Sequence, residues 1–300
     1  MLTVCTAGHV NWDVTLRVDA LPEPDGESTI RSRTEGGGGS AANVAAALAS
    51  LDIDAVLIGS VGDDERGRRA RAELEAAGVS LEGLRVVEGA TTATKYLLVD
   101  DGGEVAVLGD DGVNEAVGPG DVDPSLVRRA DHLHLTSQHP DAAAELAAIA
   151  VDAGATVSFD PGRRFDERDY GETIALADVV FATDREIETV LADGGEYAGT
   201  DLRDRTVVVK RGGEGAVVHT PTGSYGHPGF EVDAVDTTGA GDAFAAGFVA
   251  TVLRADDVER ALEYANACGA LAARRAGARS GPTAEDVTDF LDAAFDAAGR

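Results

Sequence analysis

Short apolar segments alternate with helical segments through most of this 300-residue chain, and the alternation restricts the folds open to it. From residue 130 onward, strand-like runs such as "DHLHLTS", "ATVSFDPG" and "DVVFATD" are separated by helical patterns such as "DAAAELAAIAVDAG" and "REIETVLAD". Strands that alternate with helices form parallel sheets, because each crossover helix covers a face of the sheet. The pattern therefore predicts an α/β fold with a mostly parallel central sheet and helices on both faces.

Two other parts of the chain alternate apolar and polar residues with a period of two, which is typical of strands with one exposed face. They lie at about residues 12–35 and 92–110, and the second contains "DDGG", a hairpin signal. No low-complexity linker or internal repeat sets them apart from the rest of the chain. We therefore expect one domain over residues 1–300, in which these segments form a small β-sheet lid.

The charge balance is strongly acidic, with 54 Asp and Glu against 25 Lys and Arg and a net charge of −29. Self-repulsion of this size is screened at about 1 M salt, where the Debye length is about 3 Å, so the composition predicts a protein from a halophile. A surface of this charge disfavours nucleic acid as a partner. No apolar run is long enough to cross a bilayer, and no secretory leader is recognisable. We therefore expect no membrane partner and a cytoplasmic location.

The segment "DTTGAGDAF", residues 236–244, places an Asp beside two glycines immediately before an alanine-rich helix. Small residues let backbone N–H groups face a ligand, and the N-terminus of a helix adds a partial positive charge. The segment therefore predicts an anion hole at Gly239, Ala240 and Gly241, with a helix that starts near Asp242. At such a hole Asp242 can deprotonate a hydroxyl that attacks a phosphate. The alternative is an ordinary N-capping Asp without a ligand.

A second motif, "GGGGSAANVAAALASL", lies about 200 residues earlier in the chain. Together the two motifs resemble the signatures of the ribokinase, or phosphofructokinase B (PfkB), family of carbohydrate kinases. Three further stretches fit the same family, namely "GHVNWDVTLRVDALPEPDGE", "VVVKRGGEGAVV" and "ANACGALAARRAGARSGPT". The resemblance covers nearly the whole chain. It implies a ribokinase-like three-layer α/β/α domain with a β-sheet lid, which phosphorylates a sugar-type hydroxyl with ATP.

The resemblance also implies roles for individual residues. Asp242 matches the catalytic base, and the backbone of residues 239–241 matches the anion hole. The positions that match sugar-binding residues of the family are Asn11, Asp13, Gly38, Gly39 and Asn43. The positions that match nucleotide-contacting residues are Lys210, Gly212, Gly215, Asn266 and Gly269.

Cation sites follow from the same resemblance. In the family an Asn-x-x-Glu stretch positions Mg²⁺, and here the stretch reads "TDRE", with Thr183 where Asn is usual. Glu186 is therefore expected to act on Mg²⁺ through water, since Mg²⁺ keeps several of its waters. Asp236 and Thr238 match positions that bind a monovalent cation, usually K⁺. The alternating His132 and His134 have no third ligand nearby, so we expect histidines of the core rather than a metal site.

Three substrate classes remain open. A free sugar or a sugar acid fits Asn11, Asp13 and Asn43 without added charge. A nucleoside needs an aromatic cover for its base, for which Trp12 and Tyr96 are the candidates. A sugar phosphate, such as fructose 6-phosphate or ribose 1-phosphate, needs cations over the pocket. The cationic residues of the lid segments are Arg17, Arg31, Arg33 and Lys95, of which Arg31, Arg33 and Lys95 are taken as substrate-binding candidates.

Two readings from other classes compete with a sugar kinase. A non-catalytic member of the family would bind nucleotide and sugar without turnover, although an intact Asp242 argues against it. A dinucleotide oxidoreductase is disfavoured because no G-x-G-x-x-G turn follows the first strand. Exposed strand edges in the lid are prone to association, so we expect a homodimer that pairs lid with lid.

Overall fold

The computed structural model of the protein describes residues 2–165, 167–187, 196–197, 200–255 and 257–298. Its strands are β1 (Thr3–Ala7), β2 (Asn11–Val18), β3 (Ile30–Gly38), β4 (Asp54–Gly62), β5 (Ser80–Val87), β6 (Thr94–Val99), β7 (Val105–Asp110), β8 (His132–Thr136), β9 (Thr156–Asp160), β10 (Val179–Thr183), β11 (Glu196–Tyr197), β12 (Thr200–Asp201), β13 (Thr206–Lys210), β14 (Ala216–Thr220) and β15 (Gly223–His227). Its helices are α1 (Ser40–Ser50), α2 (Glu65–Ala76), α3 (Pro124–Arg128), α4 (Pro140–Ala153), α5 (Gly171–Leu176), α6 (Ala240–Ala255), α7 (Val258–Ala273) and α8 (Ala284–Ala298). The predicted helix "REIETVLAD" lies largely outside the described residues.

The larger sheet has the strand order β15-β14-β13-β10-β9-β8-β1-β4-β5 in the described part of the chain. Neighbouring strands from β13 to β5 run parallel, whereas β14 and β15 continue the sheet antiparallel. Crossover helices separate most of the parallel strands along the chain, as the sequence pattern requires. The predicted mostly parallel sheet is confirmed.

Side chains of the central strands alternate between two hydrophobic clusters, one on each face of the sheet. Phe181 and Val208 point into the cluster that contains the apolar faces of α1, α6 and α7. Their neighbours Val180 and Val207 point into the cluster built with α4 and α5. A strand buried on both faces reads as a continuous apolar run, which is why these segments were recognisable in the sequence. The predicted three-layer arrangement is confirmed.

The smaller sheet has the order β3-β2-β6-β7 and forms the lid. Strands β2 and β3 pair antiparallel, as do β6 and β7, but β2 and β6 run parallel. Asp13 is paired with Lys95 in register, so both side chains lie on the same face. Trp12 and Tyr96 occupy neighbouring positions and therefore lie on the opposite face. Strands β6 and β7 lie within the predicted segment 92–110, whereas β2 and β3 extend slightly beyond the predicted segment 12–35 at its two ends.

The carboxyl ends of the parallel strands locate the site. The chain passes from β1 to β4 on one side of β1 and later to β8 on its other side, so the carboxyl end of β1 is a switch point of the sheet. Ligands of open α/β sheets bind in the crevice at such a point. The lid begins with β2, directly after β1, and stands over this edge. None of the helices described here is both long and apolar enough to span a bilayer.

Candidate active site

Asp242 lies in the first turn of α6, which begins two residues earlier than expected, at Ala240. Its Oδ2 accepts a hydrogen bond of 2.8 Å from Asn43 Nδ2 on α1, so the two sequence motifs meet here. Burial raises the pKa of Asp242 to about 6, against the opposing effects of the Asn43 hydrogen bond and the Lys210 charge. The carboxylate is bonded to another element and not to its own helix end, which favours a chemical role over N-capping.

The turn before α6 contains the residues predicted to form an anion hole. Gly239 has φ +78°, and a Cβ there would overlap the carbonyl oxygen of Ala278. Only glycine therefore fits the turn. The Ala240 N–H donates to Thr237 O at 3.2 Å. In the described structure the N–H groups of Gly239 and Gly241 make no backbone hydrogen bond, so these two remain for an anion.

A cavity of about 460 Å³ lies between the lid and the carboxyl ends of the strands. Asp242 stands on one wall, and Asp13, Asn43 and Ser137 line others. Asp13 and Asn43 each have a buried oxygen, Oδ1, without a hydrogen-bond partner among the described residues. Buried polar atoms require partners, so their convergence on one cavity indicates a ligand with several hydroxyl groups. We call this space the sugar cavity.

The last two glycines of the "GGGGSAANVAAALASL" motif, Gly38 and Gly39, make room for the walls of the sugar cavity. A Cβ at Gly38 would overlap the carboxylate of Asp13, and one at Gly39 would overlap the carbonyl oxygen of His9. Gly39 also has φ +93°, a conformation that favours glycine. Burial raises the pKa of Asp13 to about 6, while Lys95 and Arg279 act to lower it. Gly38 packs against the Asp13 carboxylate without lining the cavity, whereas Gly39 lines it.

Asn11 does not line the sugar cavity, although its motif position predicted a sugar contact. Its side chain is fully buried, and its Oδ1 accepts a hydrogen bond of 2.5 Å from Asn114 Nδ2. Asn114 lines the cavity and also accepts from the backbone N–H of Val10. Asn11 therefore orients a wall residue that sequence reasoning did not identify.

A second cavity of about 410 Å³ opens on the other side of the α6 turn. All five residues predicted to contact nucleotide line it: Lys210, Gly212, Gly215, Asn266 and Gly269. Phe230, Phe244 and Ala270 supply apolar walls beside glycine backbone, a combination that suits a flat base with phosphates at one end. We call this space the nucleotide cavity.

Lys210 lines both cavities and so marks their junction. Its Nζ donates to Asp160 Oδ2 at 2.5 Å, and both side chains are largely buried. Burial alone would lower the pKa of Lys210, but Asp160 next to it, with Asp242 and Glu186 further away, raises it. An ammonium group is therefore held at the junction, beside the anion hole.

The two candidate cation sites are held by backbone contacts. Glu186 lines the sugar cavity, and its Oε2 accepts from the backbone N–H of Thr183 at 2.7 Å. Asp236 accepts from the N–H groups of Thr238 and Gly277, each at 3.0 Å. Burial opposes ionisation of Asp236, but these bonds outweigh it and lower the pKa. The described residues contain no cluster of three or more His, Cys, Asp or Glu side chains that could hold a metal.

Comparison with known proteins agrees with this geometry. Residues 1–285 match the family described as pfkB family carbohydrate kinase. The chain belongs to the PfkB family of carbohydrate kinases. An ATP-dependent ribose-1-phosphate kinase from Halopiger xanaduensis is 68% identical over 99% of this kinase and 100% of the relative. The ribokinase of Thermotoga maritima superposes with a TM-score of 0.85 at 25% identity, over 97% of this kinase and 100% of that chain.

A nucleoside kinase of known structure shares the fold as well. The nucleoside kinase of Methanocaldococcus jannaschii superposes with a TM-score of 0.85 at 22% identity, over 98% of this kinase and 99% of that chain. The structural similarity confirms the predicted ribokinase-like fold, and the family match with the 68% identical relative confirms the predicted sugar kinase activity and phosphotransferase class. The predicted family is confirmed as well.

Of the three cationic side chains predicted to bind the substrate, only one lines the sugar cavity. Arg31 and Arg33 lie on β3, the outer strand of the lid, and neither lines the sugar cavity. Arg33 instead pairs with Glu35. Lys95 does line the cavity, where Arg163 and Arg164 join it from the loop after β9. The stretch "DPGRR" directly after a buried strand is the signal that would have found these two arginines, since strand ends point into the crevice.

Arg164 is held by carboxylates at the rim of the cavity. Its guanidinium donates to Glu115 Oε1 at 2.8 Å and to Asp111 at 3.3 Å. Glu115 also accepts from Arg168 and contacts His9 Nε2, and these contacts lower the pKa of Glu115 to about 2. His9, to which the sequence assigned no role, lines the cavity, and burial lowers its pKa.

The aromatic residues considered for a nucleoside cover point away from the sugar cavity. Trp12 is buried on the face of the lid opposite the cavity, and its Nε1 donates to Glu35 Oε2 at 3.0 Å. Tyr96 accepts from Arg66 at 3.2 Å and packs against the core. The lid presents Lys95, Leu97 and Val107 to the cavity, the last two in place of aromatic rings.

The strand histidines of the kinase belong to the core, as expected. His132 and His134 are buried and hydrogen-bonded to Ser158, each at 2.7 Å, and His132 also contacts Thr156. Burial lowers the pKa of His132 to about 3 and that of His134 to about 4. Both rings are therefore neutral at physiological pH.

Proposed function

We propose that this kinase, as one domain with a β-sheet lid, transfers the γ-phosphoryl group of ATP to ribose 1-phosphate. The observation that carries the proposal is the presence of Lys95 and Arg163 in the sugar cavity without an ion-pair partner in the described part of the chain. Cations placed in this way bind phosphate groups. The 68% identity to the ribose-1-phosphate kinase of Halopiger xanaduensis supports the same substrate.

The polar groups of the sugar cavity suit the ring of ribose 1-phosphate. The phosphate at the anomeric carbon fixes the ring form, which leaves a vicinal diol and a primary hydroxyl. The unpartnered oxygens of Asp13 and Asn43 are acceptors for the diol. With the existing phosphate directed to Lys95 and Arg163, the primary hydroxyl is the one that faces Asp242.

Asp242 then acts as the base of the transfer step. Its carboxylate accepts the proton of the primary hydroxyl as that oxygen forms a bond to the γ-phosphorus. The bond between the γ-phosphorus and the oxygen bridging to the β-phosphorus breaks, and ADP leaves with the electron pair. The N–H groups of Gly239 and Gly241 and the Lys210 ammonium stabilise the negative charge of the transferring group. A pKa of about 6 keeps Asp242 ionised at neutral pH and more basic than an exposed carboxylate.

The oxygen-bearing side chains near the junction of the two cavities suit the Mg²⁺ and K⁺ ions expected for such a reaction. Mg²⁺ is usually held by one or two carboxylates together with waters and substrate phosphates. Glu186 lines the cavity near the junction and would hold the ion through water, with Thr183 contributing only its backbone contact. Mg²⁺ would neutralise phosphate charge. For K⁺ we propose Asp236 and Thr238, whose turn adjoins the anion hole.

Charge variants in the cavity test the substrate. We expect Lys95→Gln and Arg163→Gln each to raise the KM for ribose 1-phosphate by roughly tenfold, the cost of one charge-assisted contact. The KM for ribose should change little, because ribose carries no phosphate. Arg33→Gln is the matched control, since Arg33 lies in the lid but outside the cavity. Equal effects on both sugars, or preferential turnover of a nucleoside, would contradict the proposal.

We also propose a homodimer that associates through the lid. Ile30, Val105 and Leu108 are 56%, 54% and 60% exposed on the outer strands β3 and β7. Apolar side chains on open strand edges favour association. A light-scattering mass at high salt that corresponds to two chains is the expected result, and a monomer at all concentrations would contradict it.

A cytoplasmic location suits the proposed activity. Cys5 and Cys268 are both free and buried, which fits a reducing compartment where ATP is available.

A further inference from the structure

Arg279 is a buried guanidinium that the reaction described above does not use. It lies in the loop between α7 and α8, and only 10% of its side chain is exposed. Its Nη2 donates to the carbonyl oxygen of Gly38 at 2.9 Å, and its Nη1 lies 3.3 Å from Glu73 Oε2 on α2. Its Nε has no hydrogen-bond partner among the described residues. The side chain thus joins the end of β3 to α2.

Glu73 completes this junction from the other side. Its Oε2 also accepts from the backbone N–H of Gly37 at 2.9 Å. A Cβ at Gly37 would overlap the guanidinium of Arg279, and a Cβ at Gly38 would overlap the carboxylate of Asp13. Arg279 and Asp13 therefore both pack against the last two residues of β3. A larger side chain at this end of β3, or a shift of its backbone, would therefore displace the carboxylate of Asp13.

The loop that carries Arg279 also contacts the anion hole. Gly277 donates its N–H to Asp236 Oδ2 at 3.0 Å, and Ala278 packs so closely on Gly239 that no Cβ fits between them. The same short loop therefore reaches the turn that binds the transferring phosphoryl group and the strand end that supports Asp13. Arg279 is the side chain that makes the second of these contacts.

We propose that Arg279 is a positioning residue for sugar phosphorylation, which fixes the end of β3 and supplies positive charge behind Asp13. The charge matters because Asp13 binds hydroxyls best as a carboxylate. Burial raises the pKa of Asp13 to about 6, and Lys95 and Arg279 both act to lower it. Four charged groups act on Asp13 or on its neighbour Arg279: Lys95 from β6, Arg279 and Glu73 at the end of β3, and Asp236 from the turn before α6. The other titratable and charged groups around the cavity are His9, Asp111, Asp160, Arg163, Arg164, Glu186, Lys210 and Asp242.

Three substitutions separate the charge of Arg279 from its contacts. Arg279→Met removes both, whereas Arg279→Lys keeps the charge and loses the forked geometry. Arg275→Met is the matched control, because Arg275 lies in the same loop but bonds Gly281 O at 3.0 Å and Asp286 Oδ2 at 2.9 Å, away from β3. Steady-state kinetics across pH 5 to 8 give kcat and KM for each variant, and circular dichroism with thermal melting checks the fold.

Arg279→Met should raise the KM for the sugar by about tenfold, with a smaller effect on kcat. The acid limb of kcat/KM should move to higher pH by roughly one unit, because Asp13 loses a cation that favours its ionised form. Arg279→Lys should keep the wild-type limb while its KM stays raised. Arg275→Met should match the wild type in both. A folded Arg279→Met protein with the limb and KM of Arg275→Met would overturn the proposal.

Glu73→Gln gives an independent reading if Arg279→Met does not fold. Loss of the Glu73 charge leaves Arg279 less neutralised, so the acid limb should move to lower pH; an unmoved limb would overturn the proposal. The inference rests on the proposed role of Asp13 in sugar binding and not on the identity of the sugar. Whichever sugar the wild type phosphorylates therefore serves as the probe. A wild type without turnover on any sugar would contradict the proposed function, whereas an active wild type with unaltered variants would contradict the role of Arg279.

Discussion

Asp242 and Asp13 are carboxylates that the fold holds where ionisation is unfavourable. Burial raises the pKa of each to about 6, because the Asn43 hydrogen bond and the nearby cations replace only part of the lost hydration. A pKa that is higher in the folded state than in the unfolded chain means that the folded state binds the proton more tightly. The resulting stability is fully present below about pH 4 and is lost as the pH rises through about 6. The two carboxylates therefore lower stability at neutral pH in return for reactivity.

Asp242→Asn tests this conflict between stability and chemistry. The neutral amide avoids the cost of desolvating a charge, so we expect the variant to be more stable than the wild type at pH 7 by about 1–3 kcal/mol. The difference should disappear near pH 4, where the wild-type carboxyl is protonated. The same variant should lose kcat by at least roughly 10²-fold, the usual contribution of a general base. Denaturant unfolding and ADP release measure the two quantities.

Asp141→Asn is the control for this experiment, because Asp141 occupies the first turn of α4 and its side chain is 75% exposed. Its substitution should leave both activity and the pH dependence of stability unchanged. An Asp242→Asn protein no more stable than the wild type at pH 7 would show that burial does not strain the carboxylate.

Single residues were predictable where the chain carries them in one continuous motif. Asp242, Gly239 and Gly39 belong to the two motifs, and all three line the sugar cavity. Asp160 was not predictable, because its partner Lys210 is brought to it only by the sheet. Asn11 was expected to contact the sugar, but its side chain is buried against Asn114, which lines the cavity. A motif position does not reveal whether a side chain faces a cavity or the core.

At the scale of elements, the turn into α6 depends on one backbone conformation. Gly239→Ala would place a methyl group against Ala278 O at φ +78°. We expect a loss of kcat of roughly 10²-fold from displacement of the anion hole, and destabilisation of at least about 1 kcal/mol from backbone strain. Kinetics and denaturant unfolding check both effects.

Gly226→Ala is the matched control for that substitution, because a Cβ on β15 would meet only Val217 Cγ2 at 3.9 Å. Wild-type kcat in Gly239→Ala would contradict the assignment of the turn as the anion hole. A loss of stability without loss of kcat would assign it a structural role only.

The lid shows what periodicity determines and what it leaves open. Alternation along β2 and β6 puts Asp13 and Lys95 on one face and Trp12 and Tyr96 on the other. The sequence therefore predicted strands, but neither the parallel pairing of β2 with β6 nor the face that covers the site. Both depend on contacts between residues about 80 positions apart in the chain. The sequence therefore could not tell which of the cationic and aromatic candidates of the lid face the cavity.

At the scale of the whole molecule, lysine is scarce, and the lysines are concentrated at the site. The chain has only two lysines, Lys95 and Lys210, and both line the sugar cavity. In a protein with a net charge of −29, cations placed there offset the repulsion that phosphorylated substrates would otherwise meet. The overall charge could be read from composition, whereas this concentration could not, because it depends on where the strand ends meet.

The net charge also predicts salt-dependent stability. Raising KCl from about 0.1 M to about 2 M should increase the free energy of unfolding by a few kcal/mol, because screening weakens repulsion among the carboxylates. Chemical unfolding in urea at each salt concentration measures the effect, and NaCl at equal ionic strength separates screening from binding of K⁺. A free energy of unfolding that is flat or falls with salt would contradict a halophilic surface.

The most direct test of the account is a coupled ADP-release assay in about 2 M KCl with ATP and Mg²⁺, a salt level at which the surface charge is screened. Ribose 1-phosphate, ribose, fructose 6-phosphate and a nucleoside are compared for the wild type and Asp242→Asn. We expect turnover that is fastest on ribose 1-phosphate and is lost in the variant. Equal turnover by Asp242→Asn would contradict the assigned base, and preference for an uncharged sugar or a nucleoside would contradict the phosphate-binding role of Lys95 and Arg163.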